Sequence, residues 1–386
     1  MKFVLAPNAF KGGLSSVQAC RAMARGVEQA AGPCDIVQVP FSDGGDGLVD
    51  VFCEVLGAQV IEARVTGPLG EALSSTFAYV PERRLAAVEM AKASGLALLP
   101  EERRNPELTT TFGTGELILQ AIDRGAESVV VGIGGSATND GGAGMAAALG
   151  VRFFDSRGRA LVPQGGRDLT RIDSLDASRM DPRLKGIAID VVCDVANPLL
   201  GKDGAARVYG PQKGAGPEQV ESLEAGLAKL AEVIERELGL NVRSTPGAGA
   251  AGGLGAGLQA FLGAALRRGV EVMLDVVGLE NHLDDADCLL TGEGRADGQL
   301  LYGKGPAGVG LCAKKRGLPC LLLAGSVDER CPDLSPSGIT AVISICPGPM
   351  GLNKAMERAE ENLQRATEQV VRVFLAGRGQ YGEDAG

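Results

Sequence analysis

The chain has 386 residues and a formal net charge of −10, a balance that argues against nucleic acid or a membrane surface as its partner. Apolar residues make up 45% of it and charged residues 22%, which is typical of a globular protein with a substantial core, and the length favours two domains. The 57 glycines are about twice the ordinary share and indicate many turns where the backbone takes positive φ or approaches a ligand closely.

The start of the chain and its cysteines indicate a cytoplasmic protein. The apolar run after Met1 is interrupted at Pro7, which makes it too short for a secretion signal, and no apolar run reaches the roughly 18 residues of a membrane span. The nine cysteines form no Cys-x-x-Cys pair and are expected to be reduced thiols. His282 is the sole histidine, and in its polar loop a structural role is more common than a catalytic one.

Short apolar runs predict strands, with helical patterns between them. Several runs are continuous rather than alternating, as in strands that are buried on both faces of a parallel sheet. The first helix is marked by a capping box of Ser15 and Gln18 and by a stop at Gly32-Pro33. This alternation predicts a doubly wound α/β domain of the Rossmann or flavodoxin type. The predicted strands are residues 2–6, 36–39, 128–133, 187–193, 288–290, 320–324 and 340–345, and further helices are predicted over 114–124 and 303–316.

The pattern changes between residues 63 and 285, and we interpret this section as a second α/β domain inserted into the first. The first domain then comprises residues 1–62 and 286–386, and the segment 106–145 is compatible with either domain. The middle section carries shorter strands near 60–65, 74–80 and 85–90 and a long helix over 218–238. In the first domain, the last helix is predicted over 353–375.

Two familiar nucleotide-binding motifs occur by letter, and neither fits its structural context. Gly247-x-Gly249-x-x-Gly252 matches the dinucleotide fingerprint, but it follows Ser-Thr-Pro instead of a strand. Residues 298–304 nearly match the P-loop, but Gly305 stands where Ser or Thr must reach Mg²⁺, and the predicted strand before them ends too early. We therefore assign neither motif its usual function.

The turn from Gly132 to Gly142 is the first candidate for binding. A buried strand leads into four glycines with polar side chains among them, and a helix is predicted to start near Gly141. Backbone N–H groups at the start of a helix favour phosphate or carboxylate, and ligands of open α/β sheets bind at the carboxyl ends of strands. The predicted anion-binding residues of this turn are Gly134, Gly135, Ser136, Asn139 and Asp140.

Four other turns at strand ends carry charged residues among glycines. Cations that neutralise developing charge, carboxylates for Mg²⁺ and a base for the attacking hydroxyl are together the set that phosphoryl transfer needs. A single Asp-Gly turn usually has no function beyond the turn itself, so the prediction of phosphoryl transfer depends on the four turns taken together. Its members are Lys11 after the first strand, Asp43 and Asp46 after the second, Asp194 and Asn197 after the strand at 187–193, and Glu293, Arg295, Asp297, Gln299 and Lys304 after the strand at 288–290.

The same turns resemble the motifs of the bacterial glycerate kinases, from about residue 1 to 375 and in the same order. The resemblance implies two α/β domains with the active site in the cleft between them, ATP and Mg²⁺ as cosubstrates, and D-glycerate as the acceptor. Asn8 and Ala9 replace the Asp-Ser of the family, whereas Lys11 and Asp43 are retained. The matching segments are 7–15, 42–48, 112–117, 132–142, 194–198, 210–214, 246–254, 292–299, 303–304 and 345–350.

The predicted mechanism gives each group one part of the transfer. Either Asp43 or Asp194 accepts the proton of a glycerate hydroxyl, and the other helps to hold Mg²⁺. Lys11, Arg295 and Lys304 neutralise the substrate carboxylate and the transferring phosphoryl group. The family likeness favours 2-phosphoglycerate as the product, although no residue decides between the 2- and 3-hydroxyl.

Two other functions stay open at this point, and so does the oligomeric state, monomer or homodimer. A kinase of another small hydroxy acid would share nearly all of these features. A nucleotide-binding α/β protein without kinase activity would rest on the Gly247 fingerprint alone.

Overall fold

The computed structural model describes residues 1–10, 12–41, 47–298, 300 and 305–379. The strands, numbered in chain order, are β1 (Lys2–Pro7), β2 (Asp35–Gln38), β3 (Gln59–Thr66), β4 (Ala72–Val80), β5 (Leu85–Glu89), β6 (Ser128–Gly132), β7 (Arg152–Phe154), β8 (Ala160–Leu161), β9 (Ser174–Asp176), β10 (Ala188–Val192), β11 (Ala265–Arg267), β12 (Cys288–Ala296), β13 (Cys320–Val327) and β14 (Ala341–Ser344). The helices are α1 (Ser16–Ala31), α2 (Leu48–Leu56), α3 (Ala91–Ser94), α4 (Phe112–Asp123), α5 (Ala143–Ala148), α6 (Ala205–Tyr209), α7 (Pro217–Leu238), α8 (Ala250–Leu262), α9 (Gly269–Val277), α10 (Pro306–Lys315), α11 (Leu352–Glu357) and α12 (Ala359–Gly377).

The chain forms two compact units, which we call unit 1 and unit 2. Unit 1 comprises Met1–Asp43 and Gly269–Gly386, and unit 2 is the continuous segment Gly44–Arg268 that interrupts it. Both units contain strands and helices, as the sequence predicts. Within the described part of the chain, no helix combines the length and the apolar character needed to cross a bilayer.

Unit 1 contains a five-stranded parallel sheet with the order β14-β13-β12-β1-β2. Phe3 and Leu5 of β1 pack on one face in a core with α1 and α12, whereas Val4 and Ala6 pack on the other face with α9 and α10. Counted within the unit, this order is the flavodoxin-like 2-1-3-4-5, whose switch point lies between β1 and β12. The prediction of a doubly wound sheet is confirmed.

The helices of unit 1 begin largely where the sequence predicts. The Ser15 hydroxyl accepts a bond from the backbone of Gln18, whose side chain accepts one from the Ser15 backbone, so the capping box is confirmed. The single helix predicted over 353–375 is wrong, because Arg358 leaves the helical conformation and separates α11 from α12. The acidic first turn of α12 and the bond from Arg358 to Glu361 stabilise this second helix start.

Unit 2 contains a six-stranded mixed sheet with the order β11-β10-β6-β5-β4-β3. β3, β4 and β5 form an antiparallel meander, and β5, β6, β10 and β11 run parallel. The strands β8, β7 and β9 form a separate three-stranded sheet in the same unit. One large hydrophobic core contains residues of the main sheet and of α4, α5, α7 and α8.

The predicted domain boundaries at residues 62 and 285 differ from this division. β3 pairs with β4 along its whole length, and Glu89 of β5 accepts bonds from the backbone of Gly47 and Val49 at the start of α2, so these elements belong to unit 2. α9 packs against α10 and belongs to unit 1. The segment 106–145 lies wholly in unit 2, because β6 is hydrogen-bonded to β5 and β10.

Candidate functional site

Unit 2 has a cavity of about 330 Å³ at the carboxyl ends of β6 and β10, two neighbouring parallel strands of its sheet. We call it the Lys213 cavity. The turns after β6 and β10 form two of its walls, and the end of α6 with the start of α8 forms the others. Its lining residues are Leu96, Ile133, Gly134, Gly135, Ser136, Val192, Cys193, Asp194, Val195, Tyr209, Gln212, Lys213, Ala250 and Ala251.

Lys213 is a buried cation in the wall of this cavity. Its residue is 2% exposed, and its Nζ donates hydrogen bonds to Ser136 Oγ and to the carbonyl oxygen of Thr138, both at 2.7 Å. Both acceptors are neutral, and among the described residues no carboxylate pairs with Nζ. Burial therefore lowers the pKa of Lys213 to about 7, and the nearby charge of Asp140 opposes this only in part.

Asp140 is a buried carboxylate just before α5. It is 0% exposed, and its carboxylate accepts bonds from the backbone and hydroxyl of Thr111 and from the backbone N–H groups of Gly142 and Gly144, at 2.8 to 3.2 Å. Burial raises the pKa of Asp140, and these bonds oppose the rise. The start of α5 thus accommodates a carboxylate of the chain itself, and Asp140 bonds to the chain in this structure, while its predicted contact with a ligand stays a prediction.

Asn139, also predicted to bind a ligand, is 0% exposed and does not line the cavity. Neither atom of its side-chain amide has a hydrogen-bond partner among the described residues, and the same holds for the hydroxyl of Thr138. The backbone of this turn packs against the start of α8, where a Cβ on Gly252 (φ +66°) would collide with the carbonyl oxygen of Thr138. The glycines near Gly247 therefore serve close backbone packing.

The rejection of the dinucleotide fingerprint is confirmed, because no strand precedes Gly247 between α7 and α8 in the described chain. Ala251 instead adopts a left-handed conformation (φ +52°) at the edge of the Lys213 cavity. Strain of this kind is often found at functional sites.

Asp194 lies where the sequence predicts, in the turn directly after β10, and it is an exposed residue that lines the Lys213 cavity. Asn197 lies behind the wall and is not a lining residue. Its amide donates to the carbonyl oxygen of Asp203 at 2.8 Å, and its Oδ1 accepts a bond of 2.7 Å from the hydroxyl of Tyr209, which does line the cavity. Asn197 therefore orients Tyr209.

Unit 1 has a cavity of about 260 Å³ at the carboxyl ends of β12, β13 and β14, which we call the Met356 cavity. Its described lining residues include no charged side chain. The strands contribute glycine and small residues, and α11 contributes an apolar wall. The lining residues are Phe10, Gly13, Gly294, Gly325, Ser326, Ile345, Cys346, Met350, Leu352, Ala355, Met356 and Ala359.

Two of the residues predicted in a turn after 288–290, Glu293 and Arg295, lie in a longer strand. β12 continues to Ala296, and Glu293 and Arg295 pair with residues of β13, so the predicted strand end was wrong. The Arg295 side chain is 61% exposed and forms ion pairs with Asp297, at 3.6 Å, and with Asp328. Exposed pairs of this kind are weak, so they leave Arg295 able to turn to an anion.

Five residues of the predicted set lie outside the described residues, namely Lys11, Asp43, Asp46, Gln299 and Lys304. Among the described residues, no cluster of three or more His, Cys, Asp or Glu side chains could hold a metal ion. Mg²⁺ is commonly bound through one or two carboxylates and the phosphates of the substrate, and the exposed carboxylate of Asp194 fits such a ligand set.

Sequence reasoning missed Lys213 and Tyr209 as site residues. The segment Gly210 to Gly214 resembles the family motif, but a lysine is almost never fully buried, so nothing local indicates an interior position for Lys213. The one feature that could have indicated a special role for this lysine is its position between Pro211 and Gly214, in a short turn after α6.

Comparisons with known proteins agree with one another over nearly the whole chain. The sequence profile of the Glycerate kinase family matches residues 3–375. A glycerate kinase of Bacillus cereus is 44% identical over 374 residues (97% of this chain and 98% of that protein), and a glycerate 2-kinase of Escherichia coli K12 is 43% identical over 377 residues (98% and 99%). A crystal structure described as glycerate kinase 2 from Salmonella typhimurium LT2 superposes with a TM-score of 0.88, at 43% identity, over 98% of this chain and 99% of that one.

Proposed function

The chain is a kinase that belongs to the glycerate kinase family, and on that premise we propose that it transfers the γ-phosphoryl group of ATP to the 2-hydroxyl of D-glycerate. The observation that carries the proposal is the position of Asp194, a carboxylate at a cavity large enough for a three-carbon acid. The name of the E. coli relative, glycerate 2-kinase, supports 2-phosphoglycerate as the product.

Asp194 is one of two residues that we propose as the base. A base has to lie within hydrogen-bond reach of the proton that it accepts, and an exposed carboxylate in the cavity wall meets this condition for a bound acid. Asp43 is the other candidate, and whichever of the two is not the base helps to hold Mg²⁺. The ion, when bound, neutralises charge on the nucleotide phosphates.

We assign the Met356 cavity to the adenine ring of ATP. Aromatic rings bind in mainly apolar cavities, and ligands of doubly wound sheets bind at the carboxyl ends of the strands. Lys11 and Lys304 follow β1 and β12 in the sequence, and we propose them as ligands of the phosphates together with Arg295. Glu293, Asp297 and Gln299 stay predictions as binding residues.

The proposal is tested by phosphorus and carbon NMR of the product formed from D-glycerate and Mg·ATP. We expect the signals of 2-phosphoglycerate together with ADP. Exclusive formation of 3-phosphoglycerate would correct the regiochemistry, and the absence of ADP release would contradict the proposal.

The main competing function is a kinase of another small hydroxy acid. It is separated by comparing kcat/KM across glycerate, lactate, tartronate and glycolate, where we expect D-glycerate to give the highest value. A preference of tenfold or more for another acid would identify that acid as the substrate.

A further inference from the structure

We propose that Lys213 is the residue that binds the carboxylate of the acceptor, with Ser136 Oγ as its hydrogen-bonded neighbour in the same subsite. This deepens the proposed function, because it identifies which part of the acid enters the Lys213 cavity. It also replaces the helix start at α5 as the anion site predicted from sequence.

The burial of Lys213 is the first argument. An ammonium group in the interior is costly unless a negative charge compensates it, and the two described acceptors of Nζ are neutral oxygens. An ammonium has three N–H donors, and these acceptors use two of them. A cation that is 2% exposed and lines a cavity is therefore suited to pair with an anion inside that cavity.

The walls around Lys213 supply the second argument. Gly134 and Gly135 are exposed in the cavity and precede Ser136, so the anion can approach the backbone of this turn without meeting a side chain. Lys213 Nζ and Ser136 Oγ lie 2.7 Å apart, which places a cationic donor and a hydroxyl beside the same space. These are the groups that orient a carboxylate.

The amount of charge favours a carboxylate over the triphosphate of the nucleotide. Among the described residues, the lining of the Lys213 cavity contains one cation, Lys213, and one carboxylate, Asp194. A triphosphate needs several cations or a metal, whereas one ammonium matches one carboxylate. With the carboxylate of the acid at Lys213, its hydroxyl groups extend into the rest of the cavity, of which Asp194 is another wall.

The test compares D-glycerate with D-glyceramide, its neutral amide, as acceptors. In the wild type we expect kcat/KM for D-glycerate to exceed that for the amide about 100-fold, because the ion pair is buried. Lys213→Met should reduce this ratio at least tenfold, because kcat/KM falls for D-glycerate and does not change for the amide. Lys213→Arg should keep most of the ratio. KM for ATP should be unchanged in all three proteins.

The control is Lys185→Met, which removes an exposed lysine of the same unit and should leave the ratio as in the wild type. Lys213→Met removes a costly buried charge but also the donor to Ser136 and Thr138, so we compare its Tm with that of the wild type before the kinetics. If it does not fold, Lys213→Gln takes its place. A ratio that stays within twofold of the wild type in the folded variant would overturn the assignment.

The proposal and the underlying function fail in different ways. If the wild type phosphorylates neither acceptor, the proposed function is wrong. Thermal unfolding with millimolar D-glycerate then tests whether Lys213 binds the carboxylate. A rise in Tm with the wild type that is lost with Lys213→Met supports the subsite. An equal rise in both proteins, or none in either, overturns it.

Discussion

The two cavities lie in equivalent places and have opposite chemistry. Each is found at the carboxyl ends of neighbouring parallel strands, one in unit 1 and the other in unit 2. The described lining of the Met356 cavity has no charged side chain, whereas the Lys213 cavity has a buried ammonium, a carboxylate and a tyrosine hydroxyl. The position of a cavity thus follows from the topology of the sheet, and its ligand follows from a few side chains.

The difference assigns separate tasks to the two units. An apolar cavity suits a nucleotide base, which binds by burying apolar surface. A charged cavity suits a small acid, which binds through its carboxylate. If this assignment is right, substitutions in one cavity affect one substrate and leave the KM of the other unchanged.

The largest expected effect is in the Lys213 cavity. Asp194→Asn should lower kcat about 100-fold or more if Asp194 is the base, because the amide cannot accept the proton. Steady-state kinetics at saturating substrates measure this, and Asp123→Asn, an exposed carboxylate of the same unit, serves as the control. A loss of that size in Asp43→Asn, with near-normal turnover in Asp194→Asn, would give the role to Asp43.

The second effect is a pH dependence. The pKa of Lys213 is about 7, and its charged form is the one that binds a carboxylate, so binding is complete below pH 7 and is lost as the pH rises through it. We expect kcat/KM for the acceptor to fall by up to about tenfold per pH unit above 7. The charged or titratable groups around it in the described chain are Asp140, Cys193, Asp194 and Tyr209.

Lys213→Arg is the matched variant for this profile, because arginine stays charged at all of these pH values. It should abolish the decline between pH 7 and 9. The same decline in the arginine variant would show that another group titrates.

The third effect belongs to the Met356 cavity. Ala355→Phe places a ring in the space assigned to adenine and should raise KM for ATP about tenfold, which corresponds to about 1.4 kcal/mol. KM for D-glycerate should not change. Asn353→Phe adds the same ring on the exposed side of the same helix as a control. An increase in KM for the acceptor instead would reverse the assignment of the two cavities.

The smallest effect concerns stability. Ala251 holds a left-handed backbone at the Lys213 cavity, which costs a non-glycine residue about 1–2 kcal/mol, so Ala251→Gly should raise the free energy of unfolding by about 0.5–1 kcal/mol. Arg84→Gly removes a similar strain (φ +48°) away from the cavity. Urea unfolding should show a similar gain in both, and KM for the acceptor should change in Ala251→Gly alone. Equal KM values would show that the strain is unrelated to binding.

The fold was largely predictable because its signals are local. A run such as Val129 to Val131 is apolar at successive positions, as a strand between two layers requires, and the cap at Ser15 needs residues no further than Gln18. The extent of β12 was not predictable, because Glu293 and Arg295 among glycines are typical of a turn until pairing with β13 holds them extended.

The candidate site was predictable in outline, but not the partners of its buried side chains. The turn after β6 does form a wall of a cavity, with Gly134, Gly135 and Ser136 as lining residues. Asp140 was assigned to a ligand because its partners, Thr111 above all, lie far away in the sequence. Lys213 was missed for the same reason, since its burial depends on contacts with Ser136 and Thr138. The cytoplasmic location, the oligomeric state and the predicted cleft between domains stay predictions.

The insertion of unit 2 has a consequence for folding during synthesis on the ribosome. β1 is synthesised before unit 2, but its partner β12 follows some 285 residues later, a delay of roughly 15 to 60 seconds at ordinary rates of translation. Unit 2 is complete before β12 emerges, so it is free to fold first, and proteolysis of chains stalled near residue 300 would detect it as the protected part. Throughout that interval the apolar segment Phe3 to Ala6 lacks its β12 neighbour, so one edge of β1 stays open to incorrect pairing in the nascent chain.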